Sequence, residues 1–373
     1  MKTLKISSLF FALTIGLFLA SCDDDIETPG TGESIVPEKF SVDIPSSISA
    51  AAAEGRRVTN GRTAEEELDG NNIYEAMALF IHIGEASGDL VEAIINTVGE
   101  LGIDRAMSLS FESDEDGRVK NLQVVEGVSY EGVEYEFMLT VTDADSEGND
   151  DGGKALQVLW SRNPVKGVSI LKPYNINRIE NPEPSEATYR IDYSESGDLG
   201  YDAHMTVYIV NLPLENPLDD PYSVDNLKMF VGKKGEVVDV YGNSNHPNAK
   251  FFTADAGFNW AFVASGKENE NIGVAEVGLP PSSLEATDRS VLLEDYSIKS
   301  VFSAQILAVW PGIEQSLLDQ YLFNTEGPGF FANDGFIQGG TSPGSEYDEL
   351  LERIEVLAPY SPASISSLEV SFR

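Results

Sequence analysis

From Met107 to Gly242, apolar and polar residues alternate in short runs separated by turn residues, a period of two that restricts this stretch to β-strands with one buried face each. MSLSFES and RVKNLQVVEG flank Asp116-Gly117, and Glu131-Gly132 introduces VEYEFMLTVT; both pairs are tight-hairpin signals. KALQVLWSR, VKGVSILK, ATYRIDYS and YDAHMTVYIVNL continue the series, interrupted at Asn163-Pro164 and around Ser196-Gly197. VDNLKMFVG and EVVDVYG make a further hairpin across Lys233 to Gly235. About eight or nine strands with short polar turns predict a large antiparallel sheet, curved or an incomplete barrel, with one face on a core and the other free to meet water.

What precedes the sheet must cover that inner face. Phe40, Val42 and Ile44 alternate with Ser41 and Asp43, the pattern of a half-buried strand ended by Pro45. Asn71 or Asn72 can cap a helix carrying Ile73, Met77, Phe80 and Ile81, and the glycines of Gly84 to Gly88 predict a break. Asp89 with Glu92 then forms a capping pair for a second helix bearing Leu90, Val91, Ile94, Ile95, Val98 and Leu101.

Beyond Tyr241 the pattern is mixed. FNWAFVAS and IGVAEVGL read as strands, Val291 to Trp310 as a buried helix or a strand leading into one, and Ile313 to Phe323 as a helix with Ile313, Leu317, Leu318 and Leu322 on one face. Crowded glycines from Gly327 to Gly344 predict a long loop, Tyr347 to Leu357 a short helix, and SSLEVSFR a closing strand. The fold class is therefore α+β: a large antiparallel sheet packed against an N-terminal helix pair, with further C-terminal helices. Residues 39–250 hold the helix pair and sheet, and 251–373 either continue that domain or form a small second lobe.

With 62 acidic against 24 basic residues the formal net charge is −38, which repels phosphate backbones and argues against nucleic-acid binding. Charge alone makes no cation site. The one stretch with alternating oxygens is Asp143, Asp145, Glu147 and Asn149, whose opening resembles an EF-hand loop, but Lys154 stands where the twelfth-position carboxylate belongs. A solvated hairpin loop is the simpler reading of that stretch and a calcium ion the alternative; no other cofactor is implied.

His82, His204 and His246 lack metal-ligand spacing, no Gly-x-Ser-x-Gly elbow occurs, and the glycines near Gly335, Gly339 and Gly340 lack the lysine of a phosphate loop. Tyr130, Tyr135, Phe137, Trp160, Tyr174, Tyr189, Tyr193, Tyr201 and Tyr208 fall in or beside the sheet, where those on a wet face could stack on a sugar and the others are core.

The chain opens with Lys2 and Lys5, an apolar run from Ile6 to Leu19 too short to span a bilayer, and small residues leading to its single cysteine, Cys22. Leu19, Ala20, Ser21 and Cys22 resemble the lipobox of bacterial lipoproteins, which implies removal of 1–21 and acylation of the Cys22 thiol. Asp23, Asp24 and Asp25 resemble the surface-export signal of Bacteroidota outer-membrane lipoproteins. Together they imply a protein held by lipid in the outer membrane and facing the cell exterior, on a flexible acidic tether over residues 22–38.

With no catalytic signature, the expected role is non-catalytic binding at the surface, with a glycan, protein or hydrophobic ligand as partner. One alternative is a hydrolase of extracellular polymers using an unrecognised carboxylate pair. The other is a carrier like the lipoprotein carriers, whose curved, open barrel holds an acyl chain; element order alone suggests it.

Overall fold

A computed structural model describes residues 34–49, 70–214, 216, 223–249, 257–333 and 335–373. The signal peptide, the lipobox with Cys22, the acidic triplet and most of the tether lie outside the described residues.

The alternating stretch forms an antiparallel meander, as expected, and the meander runs on through the C-terminal third. Its strands are β1 Met107–Glu112, β2 Val119–Tyr130, β3 Val133–Asp143, β4 Lys154–Arg162, β5 Val165–Leu171, β6 Thr188–Ser194, β7 Ala203–Val210, β8 Asn226–Lys234, β9 Val237–His246, β10 Phe258–Lys267, β11 Ile272–Gly278, β12 Gly329–Ala332 and β13 Gly335–Gly339. Each pairs with its sequence neighbour in a 13-stranded open sheet whose edges are β1 and β13. Accumulated strand twist coils the sheet around one long helix, α1 Gly70–Gly99, which packs against β6, β7, β8, β11 and β13. Met77, Phe80, Ile81, Val91 and Ile95 of α1 share a core with Trp160, Ile191, Met205, Met229, Val240 and Phe262, and Tyr74 stacks on Phe336 of β13 at 4.8 Å.

The expected helix pair is thus one unbroken helix. Gly84 and Gly88 do not break it, because they lie where it comes closest to the sheet: a Cβ on Gly84 would stand 2.4 Å from Met229 Cε, and one on Gly88 3.4 Å from Met205 Sδ. Asp89 and Glu92 accordingly sit mid-helix rather than at a cap.

Residues 34–49 form a strap across the concave side, and the strand expected at Phe40–Ile44 is absent from the ladder. The strap is extended, with Phe40, Val42, Ile44 and Ile48 buried, but three of its amides are satisfied by carboxylates of α1. Glu92 Oε2 accepts from the amides of Phe40 at 2.6 Å and Ser41 at 2.8 Å, and Glu85 Oε1 accepts from Ile44 N at 2.9 Å. At the strap's start Trp160 Nε1 donates to Ile35 O at 2.7 Å; at its end Ile48 lies against Gly266 and Gly273.

A short helix, α2 Pro173–Ile176, follows β5. Val291 to Trp310 divides into a π-helical turn, Ser290–Asp295, and α3 Ile298–Val309; α4 Gln315–Tyr321 packs Leu318 and Leu322 against Ile306 of α3. Instead of a long loop, the glycine-rich stretch supplies β12 and β13, and Gly329 admits the ring of Tyr74 where a Cβ would lie only 2.7 Å from it. α5 Asp348–Ile354 fills the place of the expected short helix, and α6 Pro362–Ser366 follows. The predicted closing strand is an extended tail outside the sheet. Val370 and Phe372, partly buried, pack on the convex face beside Leu159, Val168 and Ile170.

Candidate functional site

The convex face is covered at both flanks and uncovered between them. On one flank the β2–β3 hairpin runs past the end of β4. At Gly127, with φ 65°, its ladder is interrupted between Glu126↔Phe137 and Val128↔Tyr135, and beyond that point Val128 and Tyr135 join the convex cluster of Leu159, Val168 and Ile170. On the other flank α5 covers β10 and β11 and α6 covers β8 and β9, with Leu350 and Ile354 sealing Ala261, Val263 and Val274.

Between these flanks, strand alternation turns Ile191, Met205, Val207, Met229 and Val231 toward α1 and sends their neighbours outward. Register then aligns the outward side chains in rows across β6 to β9. One row is Arg190, Tyr208, Lys228 and Asn243; the next is Asp192, Thr206, Phe230 and Tyr241. Tyr360, from the turn between α5 and α6, lies over the far end of both.

Aromatic rings dominate this strip. Phe230 stacks on Tyr241 at 4.7 Å and on His204 at 5.6 Å, Tyr241 meets Tyr360 at 5.4 Å, and Tyr201 lies 5.4 Å from Phe230. Two cations are set among the rings. Arg190 lies 5.3 Å from the Tyr208 ring and 5.7 Å from that of Tyr130, while Lys228 Nζ is 4.9 Å from Tyr208 and 4.2 Å from Tyr360. Arg190 donates from Nη1 and Nη2 to the two Glu131 oxygens at 2.8 and 2.7 Å and from Nε to Asp192 at 2.7 Å, so one guanidinium ties up both carboxylates. Tyr201 Oη and Arg353 both donate to Asp239 at the strip's end.

These surroundings move several protonation equilibria. Burial pushes the Tyr208 and Tyr360 hydroxyls up, so both remain hydrogen-bond donors at neutral pH. Burial also raises Asp192 despite Arg190, and lowers Lys228; hydrogen bonds from Arg190 hold Glu131 below the usual carboxylate range.

Tyr360 is placed by a ladder of buried asparagines on β8, β9 and β10. Asn243 Nδ2 donates to Tyr360 O at 2.9 Å, Asn259 Nδ2 to Asn243 Oδ1 at 2.8 Å, Asn245 Nδ2 to Asn259 Oδ1 at 3.1 Å, and Asn226 Nδ2 to Ile365 O at 3.1 Å. These bonds fasten the chain from Tyr360 through α6 onto the sheet.

The residues singled out from sequence are dispersed. Asp143 is fully buried; burial alone would raise its pKa, but Arg118 and Lys120, at 2.6 and 3.0 Å, hold it well below the usual carboxylate range. Asp145 is exposed, Glu147 accepts from Asn121 Nδ2 at 2.6 Å, and Asn149 donates its amide to Ser146 O in the turn. Among the described residues no group of three or more His, Cys, Asp and Glu is arranged to hold a metal ion.

His82 faces Glu85, and His246 is buried beside Ser244. His204 Nε2 meets Asp198 at 2.8 Å; Ser196 donates to the same oxygen, so no serine faces the other ring nitrogen as a nucleophile would. Of the sequence-selected aromatics, Phe137, Trp160, Tyr189 and Tyr193 are core, Tyr135 lies beneath the folded hairpin, and Tyr174 lies under Arg178 at 3.4 Å. Tyr130, Tyr201 and Tyr208 reach the strip. Phe230, Tyr241, Lys228 and Arg190 were available from strand parity, whereas Tyr360 had no sequence signal.

Compared with known proteins, the chain matches no family model, no curated protein and no solved structure. Among the described residues no helix is long and apolar enough to cross a membrane.

Proposed function

We propose that this is a lipid-anchored surface protein that binds carbohydrate, without catalysis, on the convex aromatic strip. The observation that carries the reading is the set of half-buried rings of His204, Tyr241 and Tyr360 on the middle of the sheet, packed around the buried ring of Phe230. A pyranose presents an apolar C–H face rimmed with hydroxyls. Half-buried tyrosine rings suit that face, and the Lys228 ammonium, with the oxygens of Asp192 and of the tyrosine hydroxyls, is a polar group that its rim can meet. Arg190 engages Glu131 and Asp192, Arg353 engages Asp239 and His204 meets Asp198, which leaves the strip better suited to holding a saccharide than to cleaving one.

The lipobox and acidic triplet support anchoring at Cys22. A carrier role has less support, because α1 and the strap fill the concave side where an acyl chain would lie.

The test is retention of the purified mature protein in affinity gels containing soluble polysaccharides. The wild type is retained by at least one, and Tyr241→Ala and Tyr360→Ala lose that retention while unfolding as cooperatively as the wild type. Absence of retention across neutral and acidic polysaccharides refutes the reading. Transfer of Cys22→Ala from the membrane to the soluble fraction tests the anchor separately.

A further inference from the structure

The cations of this face differ in what they hold. Arg190 has Glu131 and Asp192, and Arg353 has Asp239. Lys228 has no carboxylate within ion-pair distance and no hydrogen bond among the described residues; its ammonium rests on the faces of Tyr208 and Tyr360 at 4.9 and 4.2 Å. In a chain of 62 acids and 24 bases, this half-buried lysine touches no carboxylate; Asp192, itself paired with Arg190, acts on it only from a distance. Burial disfavours its charged form, and an ammonium with three donors is left under-solvated at the centre of the strip.

We propose that Lys228 takes the carboxylate of an acidic saccharide, so that the ligand class is uronic-acid-containing glycans. This rests on the carbohydrate reading above. The rings of Tyr208 and Tyr360 hold the ammonium in place. Tyr241 and Tyr360 offer the stacking faces beside it. The protein's overall charge repels polyanions at long range, but at 0.15 M salt that field decays over about 8 Å and a contact ion pair persists inside it.

The probes are oligogalacturonate, alginate and hyaluronan oligosaccharides, each compared with its carboxyl-reduced neutral counterpart, titrated into the mature protein by calorimetry at 0.15 M salt. The expected result is binding of at least one acidic form about tenfold or more tighter than its neutral counterpart, a preference lost in Lys228→Gln and kept in Lys228→Arg. Thermal unfolding of both variants confirms that they are folded. Equal binding of the two forms, binding of neutral saccharides alone, or a preference unchanged in Lys228→Gln overturns the proposal and leaves the carbohydrate reading standing. If no saccharide of either kind binds, both fall.

Discussion

Replacing Glu92 by alanine tests whether a helix carboxylate can stand in for a β-strand partner. Phe40 and Ser41 are 0% and 2% exposed, and their amides have Glu92 Oε2 as acceptor at 2.6 and 2.8 Å. Truncation leaves two buried donors unmet, each costing about 1–3 kcal/mol. Alanine's better helix propensity returns only a few tenths, and partial entry of water lowers the sum, so a net loss of about 2–4 kcal/mol is expected. Glu92→Gln keeps an acceptor without the charge and should lose about 1 kcal/mol.

The assays are urea unfolding of the mature protein and hydrogen exchange at the amides of residues 40 and 41. Glu92→Ala should lower the urea midpoint and speed exchange at both amides, with the rest of α1 less affected. A Glu92→Ala protein within about 0.5 kcal/mol of wild type that keeps slow exchange at both amides would refute the account. The strap directly follows the proposed tether, so any pull from the anchor reaches the fold through these bonds.

Two further outcomes are specific. Partial burial against the strap, with Glu85 and Glu92 nearby, pushes the Asp89 pKa from 3.8 up to about 6 although much of the residue still meets solvent, so the folded state binds its proton more tightly than the unfolded chain and stability falls as pH rises across that interval. Asp89→Asn should therefore match wild type at pH near 3.5 and exceed it near pH 7.5, by less than about 1 kcal/mol because the side chain is exposed, as read from paired urea midpoints. Asn243→Ala removes the donor to Tyr360 O and the acceptor for Asn259 inside a fully buried site, and should cost about 2–4 kcal/mol in thermal or urea unfolding while weakening the near-ultraviolet tyrosine signal.

Period two was a sound guide to which side chains are buried and a poorer guide to what the backbone pairs with. Phe40, Val42 and Ile44, and likewise Val370 and Phe372, alternate because an extended chain lies on an apolar surface; neither segment joins the ladder, and the strap's amides find carboxylates instead. Glycine misled in two places for one physical reason. Gly84 and Gly88 looked like a helix break, and Gly329 and Gly339 like parts of a loop, yet a Cβ at Gly84, Gly329 or Gly339 would press on Met229, Tyr74 or Glu326, and Gly88 sits in contact with Met205. Sequence gives the glycine and withholds the neighbour. The strip was half legible: Phe230 and Tyr241 pair across a hairpin readable in the chain, whereas Tyr360 is fixed by Asn243 at a separation of 117 residues.

The asparagine ladder bears most directly on function. An outer sheet face that served only as a surface would need small polar residues meeting water, of the kind seen at Ser108, Asn121, Gln123 and Thr140 near the β1 edge. Here the sheet buries Asn226, Asn243, Asn245 and Asn259, each of which must be satisfied, in order to fasten one short segment and bring a tyrosine ring over a lysine. Lys228 and Asp192 are both partly desolvated in the process, and both are displaced toward their neutral forms. Valine or threonine at these positions would make a more stable sheet. Three of these asparagines lie under α6 and the fourth holds Tyr360 beside Lys228, so the cost falls where a segment is pinned over the strip, as the proposed binding role requires.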